Sequence, residues 1–392
     1  MNRTRTPLGF AARHTAVKSG TLVLSVLLAA AIGTVAQSPQ ESVDRGTLDG
    51  RPVITLSNDK VSLSVRAVGG AIVRFVMKDD SAQLNPVEGL GHFVCVDGFG
   101  PVSKEEAAAG LPGHGEAHRV PWDLASSEKE NGTLAVQFSA VLPLVHENFR
   151  RTLRMVDGES VVYIDSELES LLAFDRAVNW GEHATISGAF LEQGRTVTDM
   201  SATRAMTRSY ESEAVDPPDH HNLADFKEFK WPMAPTVAGG MVDMRISPTV
   251  TPVMDQTTSL MDPSRRLGYV TALHPDRQAV LGYVFRREEY PWIQIWDSYP
   301  GGGRRSYRGM EFAVQPFDLP RREVIQTNSL FDTPTYRWLP AQSKIASAFL
   351  MFYTRTPDGF SQVDDVVLED GRLTIHDRAH AKTIVLKASR GL

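Results

Sequence analysis

Three short stretches place ionisable side chains beside glycine, tryptophan or proline. The first, "LPGHGEAHRVPW", carries His114, Glu116, His118, Arg119 and Trp122. The second, "NWGEHATISGAFLEQG", sets Trp180, Glu182 and His183 within a segment that otherwise reads as buried strand. The third, "RGMEFAVQPFDLP", holds Glu311 between Met310 and Phe312. A carboxylate between two large apolar residues is costly to bury unless it is paired or used. Histidine is the side chain whose proton moves near neutral pH. A carboxylate and an imidazole sharing a pocket can therefore act as general base and general acid. Taken singly, each stretch also has a bland reading: a satisfied core histidine, or an acid on a solvent face.

The elements that would position these residues read as strands. "RPVITLSNDKVSLSVRAVGGAIVRFVMKDD" gives three short strands broken at Asn58-Asp59 and Gly69-Gly70. Asp157-Gly158 and Asp370-Gly371 are turn signals between strand-like runs. Val162, Ile164 and Leu168 fall on one face, with Ser166 between them, as in a half-buried strand. Helix signals are few. Ser103 to Gly110 has a cap, early acids and a glycine stop, and predicts one short helix. Ser343 to Tyr353 is ambiguous, and its aromatics favour strand. The fold class is all-β: a large antiparallel sandwich with few short helices. On a strand, Glu182 and His183 point to opposite faces, and Trp180 shares the face of Glu182. His183 could then face a pocket while Glu182 braces a neighbouring strand. A bulge at Gly181 would change that.

Composition narrows the function classes. The chain has 392 residues, a net charge of -6 and no long basic run, so nucleic acid is excluded as an expected partner. The N-terminus carries Arg3, Arg5, Arg13 and Lys18, then an apolar run from Thr21 to Ala36. This reads as a signal peptide over residues 1–36, cleaved after Ala36 or after Ala31, with an uncleaved anchor as the alternative. Residues 37–47 then form a flexible lead-in, and residues 48–392 one domain. The protein is expected to be exported, periplasmic or secreted, and free of the membrane after cleavage. The single cysteine, Cys95, sits in "HFVCV" and reads as a small core residue. His220 and His221 lack a third ligand at recognisable spacing, so no metal site is expected. "PGGGRR" lacks the setting of a phosphate loop and reads as a mobile loop over the mouth of the site.

In their order and spacing, the three stretches resemble the aldose 1-epimerase (galactose mutarotase) superfamily, nearest the branch related to hexose-6-phosphate mutarotases. The resemblance spans most of the chain after residue 48. It implies a galactose mutarotase-like supersandwich and acid–base interconversion of the α and β anomers of a sugar, with no cofactor. It further implies Glu311 as base, His183 as acid, and His114 as a residue that holds and polarises sugar oxygens. His118, Arg119, Trp122, Trp180 and Trp292 are candidate substrate contacts, and Trp296 is a further ring for stacking on a sugar face. In this pattern Gly89 stands where relatives carry an arginine, and His118 where they carry another, so a phosphosugar substrate is not expected. An aspartate between the second histidine and the glutamate is also implied; Asp243, Asp255 and Asp297 all qualify. The partner is then a monosaccharide or oligosaccharide. The competing reading is a non-catalytic carbohydrate-binding domain on the same fold.

Two expectations can be measured. A sugar ring between two hydrogen-bonding groups puts Glu311 and His183 roughly 6 to 8 Å apart, from two hydrogen bonds of about 3 Å plus the ring. Mass spectrometry of exported protein should show a new N-terminus between Ala31 and Ser38. An intact N-terminus on the exported protein contradicts the signal peptide.

Overall fold

The computed structural model describes residues 43–212 and 220–392, which belong to one compact unit, Glu41–Leu392. The signal-peptide segment and residues 37–42 lie outside the described residues. Two large antiparallel sheets face each other. The eleven-stranded sheet runs, edge to edge, through Val43–Leu48, Arg51–Ser57, Val61–Arg66, Ile72–Met77, His92–Val96, Trp180–Ser187, Tyr307–Ala313, Trp292–Tyr299, Val253–Met261, Ala202–Thr207 and Glu228–Lys230. The eight-stranded sheet has Lys344–Arg355, Val161–Ser170 and Glu147–Val156 at its centre. Between the sheets lie Leu63, Phe75, Ile186, Ile293 and Phe312 of the first, and Phe138, Leu153, Ile164 and Phe349 of the second. The strand Lys344–Arg355 is an apolar run because both its faces are covered. A second core, with Leu350 and Phe352, packs it under the C-terminal three-stranded sheet that contributes Leu373 and Ile375.

The turn signals act as their chemistry dictates. Asp370 and Gly371 both have positive φ and join Asp365–Glu369 to Arg372–Asp377. Ser103 caps the helix Lys104–Ala108 in a capping box with Glu106. A second helix, Arg321–Thr327, was not expected; it begins after Pro320, which is suited to a helix start. The lead-in needs a correction. Residues 43–48 are not flexible coil but a strand paired with Arg51–Ser57 through the hairpin turn Asp49-Gly50, both at positive φ. An Asp-Gly pair stood there in the sequence too, and the flanking "VDRGTL" is too polar to announce a strand.

The strand Trp180–Ser187 is regular through Gly181, which pairs with Ala313 on one side and Cys95 on the other. Its two faces therefore alternate. Glu182 points between the sheets and is fully buried. There Arg151 Nη2 donates to Glu182 Oε1 at 2.5 Å, His92 Nε2 lies 2.9 Å from Oε2, and the Tyr290 hydroxyl donates at 3.2 Å. Trp180 Nε1 donates to the same carboxylate at 3.3 Å from the same face. Burial works against ionisation of Glu182, but the charge of Arg151 and the His92 hydrogen bond hold its carboxyl below the usual value. Burial pulls His92 the other way and keeps it neutral. Arg151 is the single full countercharge in this network. Removing one partner of a buried ion pair typically costs about 3–5 kcal/mol. Arg151→Met should lower unfolding free energy by about that much in urea titration, and Arg151→Met with Glu182→Gln should recover part of it. A loss below about 1 kcal/mol in the single variant contradicts this role.

Candidate active site

On the opposite face of the large sheet is a cavity of about 800 Å³. It contains His114, His118, His183, Glu311, Trp296, Phe93, Arg208, Gln256, Asp318, Arg51 and Arg66 among its lining residues. His183 and Glu311 come from adjacent strands in a register that sets Glu182 against Phe312 and Gly181 against Ala313. Continuing that register puts His183 opposite Glu311, so both side chains rise from the floor side by side. Their separation, His183 Nε2 to Glu311 Oε1, is 3.2 Å. The expected 6 to 8 Å gap is therefore wrong. Direct cross-strand neighbours leave no room for a ring between them, and a substrate must meet both from above. Gly309 makes the space: a Cβ there would lie 2.2 Å from Glu311 Oε1.

Each group of the pair is held. His183 Nδ1 is 3.0 Å from Thr185 Oγ1, and its ring stacks on Phe93 at 4.3 Å. Burial, then the neighbouring His114, pulls the His183 imidazole well below its usual pKa. Burial, then the charge of Asp318, pushes the Glu311 carboxyl well above its usual value, while Arg208 opposes the rise. Arg208 is itself gripped by Asp318 at 2.9 Å and donates to Gln256 at 2.7 Å. Burial raises Asp318 to about 6, against the lowering effect of Arg208.

His114 reaches the cavity through an unusual backbone. Its φ is +64°, and Gly115 follows at +76°. A Cβ on Gly115 would lie 1.9 Å from the Val96 carbonyl, so only glycine lets this loop lie against the sheet. The loop's far end rests on Gly69, where a Cβ would meet the His118 carbonyl at 2.1 Å. His114 Nδ1 accepts from the Gly100 amide at 3.1 Å. Nε2 therefore carries the proton of the neutral ring. Burial, then the charges of His118 and Arg119, lowers His114 to about 4, so it is a neutral donor at pH 7.

The cavity gathers Glu311, His183, His114 and His118 from the expected set, with Trp296. It does not gather the other tryptophans. Trp122 is buried under Gly70 and donates to the Ala117 carbonyl, Trp180 faces the sandwich interior with Glu182, and Trp292 is sealed by Pro334 and Phe331. Arg119 is exposed and donates to His118 Nε2 at 3.1 Å from outside the lining. None of Asp243, Asp255 and Asp297 lines this cavity; they line a separate one, and the aspartate here is Asp318. The glycine loop at Gly301 to Gly303 is not in the lining either; Arg305 beyond it pairs with Glu88. Arg208, Gln256, Arg51 and Arg66 lacked any local motif. Asp318 was visible within "QPFDLP", without a sign of which way it faced.

No family model and no curated protein sequence matches the chain. Solved structures do. A galactose mutarotase-like protein from Clostridium acetobutylicum superposes with a TM-score of 0.55 at 11% identity, over 80% of this chain and 98% of that one. A galactose mutarotase related enzyme from Lactobacillus acidophilus gives 0.51 at 12%, over 78% and 98%. A TPR-domain containing protein from Parabacteroides distasonis gives 0.52 at 11%, over 85% of this chain and 51% of that one. The protein thus has the galactose mutarotase-like fold, as the resemblance implied.

The charges around Glu311 make a signed prediction. In ¹³C NMR titration of the labelled carboxyl, Asp318→Asn should move the Glu311 transition to lower pH, because a charge that raises its pKa is gone. Arg208→Met should move it to higher pH. Shifts of the opposite sign, or none, contradict the electrostatic arrangement.

Proposed function

We propose that the protein is an aldose 1-epimerase-type isomerase that opens and recloses the ring of a free sugar. The observation that carries this reading is the side-by-side pair of His183 and Glu311, 3.2 Å apart on a cavity floor. Ring opening needs a proton removed from the anomeric hydroxyl O1 and one delivered to the ring oxygen O5. Both oxygens are bonded to C1, so two side chains in contact can each reach one of them.

The proton inventory closes. In the reacting arrangement of the cyclic-sugar complex, Glu311 is carboxylate and His183 imidazolium. Glu311 takes the O1 proton, the C1–O5 bond breaks, and His183 gives its Nε2 proton to O5. The open-chain aldehyde then faces a neutral carboxylic acid and a neutral imidazole. Rotation about C1–C2 turns the other face of the carbonyl to O5. Closure returns the O5 proton to His183 and protonates O1 from Glu311. Burial raises Glu311 and lowers His183, so the uncharged pair is the resting arrangement, and one proton passed across the 3.2 Å contact makes the charged pair that starts ring opening. The His114 Nε2 proton is a donor for a sugar oxygen, and Trp296 offers a flanking ring. Export, expected from the N-terminal segment, would bring the site to free sugars.

Polarimetry of freshly dissolved α-galactose and α-glucose tests the proposal. Wild type should speed the approach to equilibrium. Glu311→Gln and His183→Asn should each cut the acceleration by about 10²- to 10⁴-fold, the usual worth of a positioned acid or base. Sugar affinity should stay within about tenfold, because the amides still hydrogen-bond. Full rates in both variants contradict the mechanism. Sugar binding without any acceleration by wild type would favour the carbohydrate-binding reading.

A further inference from the structure

The catalytic pair uses only the floor of the cavity. The wall toward the strands Arg51–Ser57 and Val61–Arg66 carries two guanidinium groups, Arg51 and Arg66. Arg66 stands directly opposite Val53, and Arg51 lies two residues before Val53, so both project from the same face of the sheet. Diagonal neighbours of this kind lie about 7–8 Å apart at their backbones, close enough for two long side chains to grip one small group. Among the described residues, no carboxylate lies within ion-pair distance of either arginine. Asp49 influences Arg66 only from farther off. Burial, then the like charge of Arg51, pulls the Arg66 guanidinium below its usual value. The two cations thus repel one another, and an anion between them would relieve both.

Arg66 is also fixed in the wall. Its Nη2 donates to the Gly89 carbonyl at 3.0 Å. That bond uses one of the five N–H groups of the guanidinium. Val68 and Leu90 line the same wall. A neutral aldose could offer these guanidinium groups only hydroxyl oxygens, whereas an anion gains the stronger charge-assisted pair. A protein of net charge -6 gains nothing from general anion attraction either, so the positive wall is a local feature.

We infer that the substrate is an acidic saccharide, whose carboxylate or sulfate ester is held between Arg51 and Arg66 while its anomeric carbon meets His183 and Glu311. The inference rests on the ring-opening reading for the second half of that sentence only. Carboxylate and sulfate present the same chemistry to two arginines, and the probes separate them.

Affinity is measured by calorimetry at low salt with galactose, galacturonate and galactose 6-sulfate, and mutarotation of the same three by polarimetry. One or two charge-assisted hydrogen bonds correspond to about ten- to hundredfold in affinity. Galacturonate, galactose 6-sulfate or both should bind more tightly than galactose by that factor, and whichever does identifies the anion. The preference should shrink as salt screens the charges. In Arg66→Gln, and in Arg51→Gln with Arg66→Gln, the ratio of acidic to neutral affinity should fall to about threefold or less. Circular dichroism matching wild type shows that the variants are folded. Equal or weaker binding of both acidic sugars by wild type overturns the inference, as does a preference that survives the double variant. Acceleration of galactose without any acidic preference sinks the anion site and leaves the epimerase reading standing. An Arg-dependent acidic preference without acceleration of any sugar does the reverse.

Discussion

The buried contact between Arg151 and Glu182 decides which way one strand faces, and the site follows from that. Glu182 and His183 are successive residues on Trp180–Ser187, so they cannot share a face. With Glu182 fixed between the sheets by Arg151, His92 and Tyr290, His183 has only the cavity side left. A slip of one residue would exchange them, placing a carboxylate without its arginine in the cavity and an imidazole in the core. The same register brings Glu311 of the neighbouring strand beside His183. The geometry of the proposed acid–base pair and the core electrostatics are thus two sides of one strand.

The second constraint is steric and belongs to glycine. Gly309 leaves room for the Glu311 carboxylate, Gly115 lets the His114 loop touch Val96, and Gly181 accommodates the Phe99 ring 2.3 Å from where its Cβ would be. Each of the three stretches that carry chemistry therefore contains a glycine that a larger residue could not replace without moving the site. This gives a physical sense to motifs that mix glycine with titratable residues: the glycine makes the close approach that places its titratable neighbour.

Much of this was legible in the sequence. The Asp-Gly turns, the alternation of Val162, Ile164 and Leu168, and the opposition of Glu182 to His183 all follow from local rules. Glu311 stood out because an acid between Met310 and Phe312 demands a reason. What local rules could not reach is lateral placement. Trp122, Trp180 and Trp292 look like sugar platforms in one dimension. Only the packing of Phe149, Phe331 and Pro334 around two of them, and of Gly70 on the third, shows that they are core. Arg208 and Asp318 are 110 residues apart in the chain and meet only through the fold. The 3.2 Å separation of His183 and Glu311 departs from the expected gap for a related reason. Their strands are far apart in sequence, and nothing local states that they are neighbours in the sheet.

The claim at the centre is that one carbon of an aldose meets two adjacent side chains from above. A crystal structure with a bound aldose, solved on the Glu311→Gln protein to slow turnover, tests it directly. The two oxygens of C1 should lie within hydrogen-bonding reach, about 3 Å, of residue 311 and of His183 Nε2. His114 Nε2 should contact another sugar oxygen, and Trp296 should flank the ring. A sugar seated with C1 turned away from the pair, or touching only one of the two, would contradict it.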